Sequence, residues 1–107
     1  MVLDMTVKGY KAKKSSGKYY IPNTFDSNVG KNLRILRKKY NLTIENFAEK
    51  VHLSSRSISN YENGNNTITI ESLVKIYESN IYRESFTSLN ELFDALINSA
   101  YMQSRKK

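Results

Sequence analysis

The sequence predicts an all-α fold of five helices, preceded by a basic, largely irregular N-terminal extension. Apolar residues recur at helical spacing from about residue 29 to residue 97, and residues that commonly cap helices stand ahead of the apolar segments. No segment is a confident strand and no internal repeat is present. The 107 residues fit one domain, and a hydrophobic content of 39% suffices for a small helical core.

The composition favours a negatively charged partner and excludes several kinds of site. The chain has a formal net charge of +7 and a pI near 9.6, which suits binding to nucleic acid. It contains no cysteine, so disulfides, thiolate metal sites and a thiol nucleophile are excluded. No apolar run approaches the ~20 residues that span a membrane, and the N-terminus lacks the pattern of a signal peptide. We therefore expect a cytoplasmic protein that does not contact a membrane.

Residues 1–26 form the predicted basic extension, in which apolar periodicity is weak. Five lysines lie among glycines, serines and tyrosines, and only Asp4 and Asp26 oppose their charge. Three interpretations remain open. The extension is a solvated tail, a basic arm that contacts DNA phosphates or a minor groove, or a small strand that pairs with a second subunit.

The first helix is predicted to begin at Ser27 or Asn28, either of which can cap it. It is predicted to stop at Asn41, because asparagine tolerates the left-handed conformation. Its apolar stripe consists of Val29, Leu33, Leu36 and Tyr40. These positions recur at helical spacing, so one face of the helix is predicted to pack against a core.

Two short helices separated by a tight turn are predicted between residues 43 and 64. Thr43 caps the first of them, and Glu45 lies in its first turn, where the helix dipole favours a carboxylate. The turn contains His52, Ser54 caps the second helix, and Gly64 can take the positive φ that follows a helix end. The predicted apolar contacts are Ile44, Phe47, Ala48, Val51, Ile58 and Tyr61.

Two further helices complete the predicted domain, which spans residues 27–100. The fourth helix begins at about Thr69, and the fifth begins with the S-x-x-E capping box of Ser88 and Glu91. The predicted inward-facing residues of the fourth helix are Ile70, Leu73, Val74, Ile76 and Tyr77. The apolar face of the fifth helix is Leu89, Leu92, Phe93, Leu96 and Ile97. Residues 101–107 are predicted to be a basic C-terminal tail.

A spread pattern of residues from about Val29 to Tyr77 carries a family resemblance. Its strongest part is the run ISNYENG at residues 58–64. The matching residues outside this run are Val29, Leu33, Leu36, Arg37, Leu42, Thr43, Phe47, Ala48, Leu53, Ser54, Leu73 and Ile76. On this pattern the segment resembles the phage-repressor/Cro type of helix-turn-helix DNA-binding protein, also called the XRE family. The resemblance implies a five-helix lambda-repressor-like DNA-binding domain whose helix 54–63 enters the major groove.

Four positions depart from the family pattern. Ile68 replaces a common proline before the fourth helix, and Tyr77 replaces a common small residue within it. His52 stands where the family usually has glycine in the turn between the two helices, at a residue that normally has positive φ. Ile44 stands where a glutamine commonly bonds a DNA phosphate, so that contact is not expected here.

The resemblance also implies which side chains contact DNA. Ser55, Arg56 and Asn60 are the base-facing positions, because the fork of Arg56 suits guanine and the amide of Asn60 suits adenine. The alternative for Arg56 is an ordinary solvated arginine. Contacts to the DNA backbone are expected from Thr43, Ser54, Ser57, Asn63, Asn65, Asn66 and Lys38. Arg37 and Glu62 are expected to form a structural ion pair that turns the carboxylate away from the groove.

Proteins of this type usually act as dimers on palindromic sites. The last helix is the candidate dimer element, because its apolar face looks larger than closure of a four-helix core requires. The dimer candidates are Leu89, Leu92, Phe93, Leu96 and Ile97. The alternative is that this helix only closes the core of its own chain.

The sequence thus predicts a transcriptional regulator, a repressor of bacterial or phage origin that binds a palindromic operator as a homodimer. Its predicted partners are double-stranded DNA and a second copy of the chain. One alternative is an antitoxin-like or accessory protein whose main partner is another protein, and a nonspecific nucleic-acid binder is a third possibility. An enzyme, a cofactor and a metal are not expected, because His52 is the only histidine, acidic residues are scattered and no glycine-rich phosphate loop is present.

Overall fold

The structure, a computed structural model, describes residues 24–105. Its helices are α1 Thr24–Lys39, α2 Ile44–Val51, α3 Ser55–Glu62, α4 Ile70–Glu78, α5 Leu89–Phe93 and α6 Ser99–Arg105, with a π-helical segment Asp94–Asn98 between α5 and α6. These last three pieces follow one another without interruption, and we call residues 89–105 the C-terminal helix. Counting it once gives five helices, and the described residues contain no strand, so the predicted all-α fold is confirmed.

Each of the five helices contributes a fully buried apolar side chain to one core. These side chains are Leu33, Phe47, Ile58, Ile76 and Leu92. Burying an apolar side chain of this size stabilises the folded state by roughly 1.5–3 kcal/mol relative to leaving it exposed. The core therefore holds α2 and α3 in a fixed position against α1, α4 and the C-terminal helix.

One predicted core residue, Ile70, is instead 67% exposed. It occupies the first position of α4. Ser72 follows two residues later, on about the opposite side of the helix, and Ser72 is buried, with its hydroxyl 2.8 Å from the hydroxyl of Tyr61. The prediction that Ile70 faces inward is therefore wrong, because α4 turns the side that carries Ser72 towards α3.

A close backbone contact sets how α1 crosses α3. A Cβ atom added at Gly30 would lie 2.1 Å from the carbonyl oxygen of Tyr61 and 2.7 Å from that of Glu62. No side chain fits in that space, so glycine at this position allows the two helices to approach. The approach places the residues of α1 that follow Gly30 beside the C-terminal end of α3.

Both ends of the described chain are more helical than the sequence predicts. α1 is already helical at Thr24, where the prediction began the helix at Ser27 or Asn28, and the C-terminal helix continues to Arg105. Tertiary contacts support both ends: Asn28 donates to the hydroxyl of Ser104 at 3.2 Å, and Thr67 donates to a carboxylate oxygen of Asp26 at 2.9 Å.

The helices reach a few residues into the predicted N-terminal extension and the predicted C-terminal tail. Residues 24–26 of the predicted extension and residues 101–105 of the predicted tail are helical. Residues 1–23 and 106–107 lie outside the described residues, so the interpretations of the basic extension stay predictions. None of the helices within residues 24–105 is both long and apolar enough to cross a membrane.

Side-chain caps begin four of the helices, three of them at residues that the sequence predicts as caps and the fourth at Thr69. The hydroxyl oxygens of Thr43, Ser54, Thr69 and Ser88 each accept a hydrogen bond from the backbone N–H three residues later, at 3.0 to 3.2 Å. The capping box at the last helix differs in one respect. Glu91 accepts from the backbone N–H and the hydroxyl of Thr87, at 2.7 and 3.1 Å, and so holds the residue before the cap.

Three helices end at residues in the left-handed conformation, at positions that the sequence predicts. The φ angles are 58° at Asn41, 62° at His52 and 74° at Gly64. Asn80, in the connection after α4, has a φ of 63° and was not predicted. Each left-handed residue reverses the chain within a short distance, which allows helices of only eight or nine residues to pack around one core.

Candidate nucleic-acid interface

Helices α2 and α3 and the turn between them form a rigid unit. The N–H of Leu53 donates to the carbonyl oxygen of Ala48 at 3.0 Å, which closes the end of α2 around the left-handed His52. Ala48 and Ile58 are buried where the two helices face each other. Because these contacts fix the angle between the helices, the exposed side of α3 is held in one orientation relative to the rest of the domain.

The exposed side of α3 carries a line of polar side chains. Arg56, Asn60 and Asn63 follow one another at i, i+4 and i+7, so they lie within about 60° of each other around the helix. Arg56 and Asn63 are exposed and Asn60 is half-buried. Ile58 and Tyr61 lie on the opposite side and are buried. We call Arg56, Asn60 and Asn63 the polar face of α3.

The predicted base-facing residues are not all equivalent in the structure. Arg56 and Asn60 lie on the polar face, whereas Ser55 is exposed about 100° around the helix from Arg56. Ser55 is the first residue of α3 and therefore lies at the edge of this face. The structure brings two of the three together and places the third beside them.

Two residues predicted to contact the DNA backbone stand at the start of α2 and α3, where their hydroxyl groups cap the helices. Thr43 and Ser54 accept hydrogen bonds as caps, at 3.0 Å in each case. Ser54 also donates to the hydroxyl oxygen of Ser57 at 3.0 Å. Accepting the capping hydrogen bond uses only a lone pair of the hydroxyl oxygen. The hydroxyl proton of Thr43 therefore remains available to a phosphate. At α3 the Ser54 proton is donated to Ser57, and the Ser57 hydroxyl proton has no acceptor among residues 24–105.

The other predicted backbone contacts lie on exposed residues after α3 and on α1. Asn65 and Asn66 are exposed in the loop that follows α3, and the N–H of Asn65 donates to the carbonyl oxygen of Asn60 at 2.9 Å. Lys38 is exposed near the C-terminal end of α1. Asn63 has an engaged side chain, because it accepts from Arg34 and donates to the hydroxyl of Ser59.

Arg37 and Glu62 form a buried bidentate ion pair. Nε of Arg37 donates to Oε2 of Glu62 at 2.7 Å, and Nη2 donates to Oε1 at 2.9 Å. Nη1 of Arg37 donates to the carbonyl oxygen of Leu42 at 2.8 Å, which ties the pair to the chain ahead of α2. The hydrogen bonds to Glu62 raise the pKa of Arg37 above its usual value. The carboxylate is therefore held inside the domain, away from the polar face of α3.

Sequence reasoning missed a second arginine at this pair. Nε of Arg34 donates to Oε1 of Glu62 at 3.3 Å, and its Nη2 donates to Oδ1 of Asn63 at 3.3 Å. The side chain of Arg34 remains 45% exposed, unlike that of Arg37. Arg34 precedes Arg37 by three residues, so both lie on neighbouring positions of one side of α1. That spacing is the signal that could have identified it.

The excess of positive charge is unevenly distributed along the chain. Residues 24–105 contain 10 Lys and Arg against 9 Asp and Glu, whereas residues 1–23 contain 5 Lys against 1 Asp. Within the described part, residues 24–66 have 7 basic and 4 acidic side chains, and residues 67–105 have 3 basic and 5 acidic ones. The half that contains α1, α2 and α3 is therefore the basic half.

Comparison with known proteins agrees with this geometry. Residues 30–79 match a family described as a helix-turn-helix domain. This match covers α2, α3, α4 and most of α1. A helix-turn-helix domain is a DNA-binding unit rather than a catalytic one, in agreement with the expectation that the chain is not an enzyme.

One curated relative matches part of the chain. A stretch of 43 residues is 44% identical to Antitoxin PezA of Streptococcus pneumoniae serotype 4. The stretch covers 40% of this chain and 27% of the antitoxin, so the similarity concerns only a minor part of that protein. No solved structure matches the chain at a significant level.

The C-terminal helix carries two parallel lines of side chains. Leu92, Leu96 and Ala100 are fully buried against the other helices. Leu92 and Leu96 therefore close the core of their own chain, and the prediction that they form dimer contacts is wrong. The second line is defined as Leu89, Phe93, Ile97 and Tyr101, and we call it the apolar stripe.

The apolar stripe is partly open to solvent. Leu89 is 37% exposed, Phe93 40% and Tyr101 47%, and Ile97 is half-buried. In a regular α-helix, residues four apart drift by about 40° per step. The wider π-helical turn between residues 94 and 98 rotates the chain in the opposite sense. The stripe consequently runs almost straight along the helix.

Proposed function

We propose that the protein is a sequence-specific DNA-binding transcriptional regulator whose helix α3 enters the major groove. The observation that carries this proposal is the polar face of α3. It is exposed at Arg56 and Asn63 and half-buried at Asn60, while the carboxylate of Glu62 on the same helix is buried and paired. Arg56 is suited to donate to O6 and N7 of a guanine, and Asn60 is suited to pair with an adenine. Ser55 contacts a base or the backbone from the edge of the face.

The experiment that tests this proposal is selection of bound duplexes from a random DNA pool. We expect an enriched sequence that contains a guanine contacted by Arg56. In Arg56→Ala, preference at that guanine is expected to fall by roughly 1–3 kcal/mol, while preference at other positions stays. A pool without enrichment would identify a nonspecific nucleic-acid binder, and a uniform loss of affinity in Arg56→Ala would assign Arg56 to the DNA backbone.

We further propose that the regulator represses transcription as a homodimer on a palindromic operator. A single α3 reads few base pairs, and two copies related by a two-fold axis read half-sites ~34–36 Å apart. The apolar stripe of the C-terminal helix supplies a surface through which two copies can associate. Occupation of the operator would then exclude the polymerase. The selected sequence tests this point, because a palindrome with that spacing requires a symmetric dimer.

A second candidate function is that of an antitoxin-like protein whose main partner is another protein. The similarity to Antitoxin PezA favours this candidate. Under it, DNA binding through α3 is secondary and a different surface binds the partner chain. Co-expression with the product of the adjacent gene, followed by size-exclusion chromatography, tests the candidate. A stable complex of defined stoichiometry would support it, and separate elution of the two chains would count against it.

A further inference from the structure

Arg34 lies at the edge of the polar face of α3 although it belongs to α1. Its Nη2 donates to the side-chain oxygen of Asn63, which is the last residue of that face. Its Nε donates to Glu62, on the side of α3 that faces α1. Asn63 in turn donates to the hydroxyl of Ser59 at 3.4 Å. The guanidinium is thus held by two consecutive residues at the C-terminal end of α3.

The contacts of Arg34 leave part of its guanidinium available. They use the N–H on Nε and one N–H on Nη2 among the residues that the structure describes. Both N–H groups of Nη1 and the second one of Nη2 remain as donors. With 45% of the side chain exposed, these donors are accessible to solvent. A planar, fixed guanidinium with adjacent free donors matches the geometry of a phosphate group.

The local charge also favours an anion at this position. Glu62 is the acidic partner of both Arg34 and Arg37, so the cluster of these three side chains carries a net positive charge. Arg37 is buried and directed at Glu62 and Leu42. The excess charge is therefore presented by Arg34, beside the amide of Asn63.

Two lysines extend this positive charge along α1. Lys31 and Lys38 lie three residues before and four residues after Arg34, so all three share one side of the helix, within about 60°. All three are exposed. Lys39, also exposed, lies about 140° around the helix from Arg34 and so faces elsewhere. Basic residues on one side of α1 thus form a row that passes the end of α3.

We propose that Arg34 binds the DNA phosphate backbone at the C-terminal end of α3, with Asn63 on the same phosphate and Lys31 and Lys38 on its neighbours. This inference rests on the proposed DNA binding through α3 and adds a contact on α1. It also gives Arg34 a second role, since the hydrogen bond to Asn63 orients an amide of the polar face before DNA arrives.

The test measures how the affinity of the full chain for its selected duplex depends on salt. Each phosphate contact contributes about 0.9 to the slope of log K against log salt concentration. Arg34→Ala and Arg34→Gln are expected to lower the slope by about one, whereas Arg34→Lys is expected to keep it. Arg34→Gln retains an amide that can bond Asn63, so it separates loss of charge from loss of the internal contact.

The control is Arg83→Ala, which removes an exposed arginine from the connection after α4. It is expected to leave the slope unchanged. An unchanged slope in both Arg34→Ala and Arg34→Gln would overturn this inference while leaving the proposed function intact. A wild-type chain that selects no duplex would instead defeat the proposed function itself. Loss of preference at one base pair in Arg34→Gln would also overturn the inference, because a phosphate contact carries no sequence information.

Discussion

At the scale of single residues, Glu62 is the residue with the most connected energetic role. Its carboxylate receives hydrogen bonds from Arg37 at 2.7 and 2.9 Å and from Arg34 at 3.3 Å. Both Glu62 and Arg37 are buried. A buried ion pair adds little net stability over apolar residues, but loss of one partner leaves an uncompensated charge. Glu62 is therefore needed because Arg37 is present.

We expect Glu62→Ala to lower the free energy of unfolding by roughly 3–5 kcal/mol, because Arg37 stays buried without its carboxylate partner. Urea unfolding followed by circular dichroism measures the change. Glu49→Ala, which removes an exposed carboxylate from α2, is the matched control and is expected to change stability by no more than ~0.5 kcal/mol. A Glu62→Ala protein that melts within about a degree of the wild type would refute this role.

Secondary-structure elements differ in how far their own sequence determines them. The caps at Thr43, Ser54 and Ser88 and the end of α3 at Gly64 were predictable, because each rests on interactions within a few residues. The start of α1 was not, since its first turn is supported by contacts far away in sequence, such as that between Asp26 and Thr67.

The candidate nucleic-acid interface shows the same division. Helical spacing alone places Arg56 and Asn60 on one line along α3. The family resemblance predicts that this line faces the bases. The contribution of Arg34 depends on how closely α1 approaches α3 at Gly30. Its spacing from Arg37 indicates only that the two arginines share one side of α1. Likewise, the split of the C-terminal helix into buried and open lines depends on a π-helical turn that the apolar spacing did not indicate.

The turn between α2 and α3 offers a test of element stability. His52 has a φ of 62°, a conformation that costs a residue with a Cβ roughly 1–2 kcal/mol. We expect His52→Gly to raise the free energy of unfolding by about 0.5–1 kcal/mol, after the entropy cost of glycine is subtracted. His52→Ala is the control, because it removes the imidazole but keeps the Cβ, and it should not stabilise. Equal stabilisation by both variants would contradict the backbone explanation.

At the scale of the whole molecule, the domain has surfaces of different character. The half with α1, α2 and α3 is basic and presents the polar face. The half that follows is acidic on balance and presents the apolar stripe of the C-terminal helix. A partly open apolar stripe fits a symmetric pairing of two copies, since the same stripe can then meet itself across a two-fold axis.

The dimer proposal is tested by placing a charge in the stripe. Phe93→Glu is expected to turn a wild-type dimer into a monomer, because two carboxylates would be buried against apolar partners, while the fully buried Leu92 and Leu96 keep each subunit folded. Analytical ultracentrifugation measures the mass. Ile70→Glu is the matched control, since it charges an exposed apolar residue on α4, and it should remain a dimer. A dimeric Phe93→Glu protein would place the intersubunit contact elsewhere. A monomeric wild type would overturn the dimer proposal.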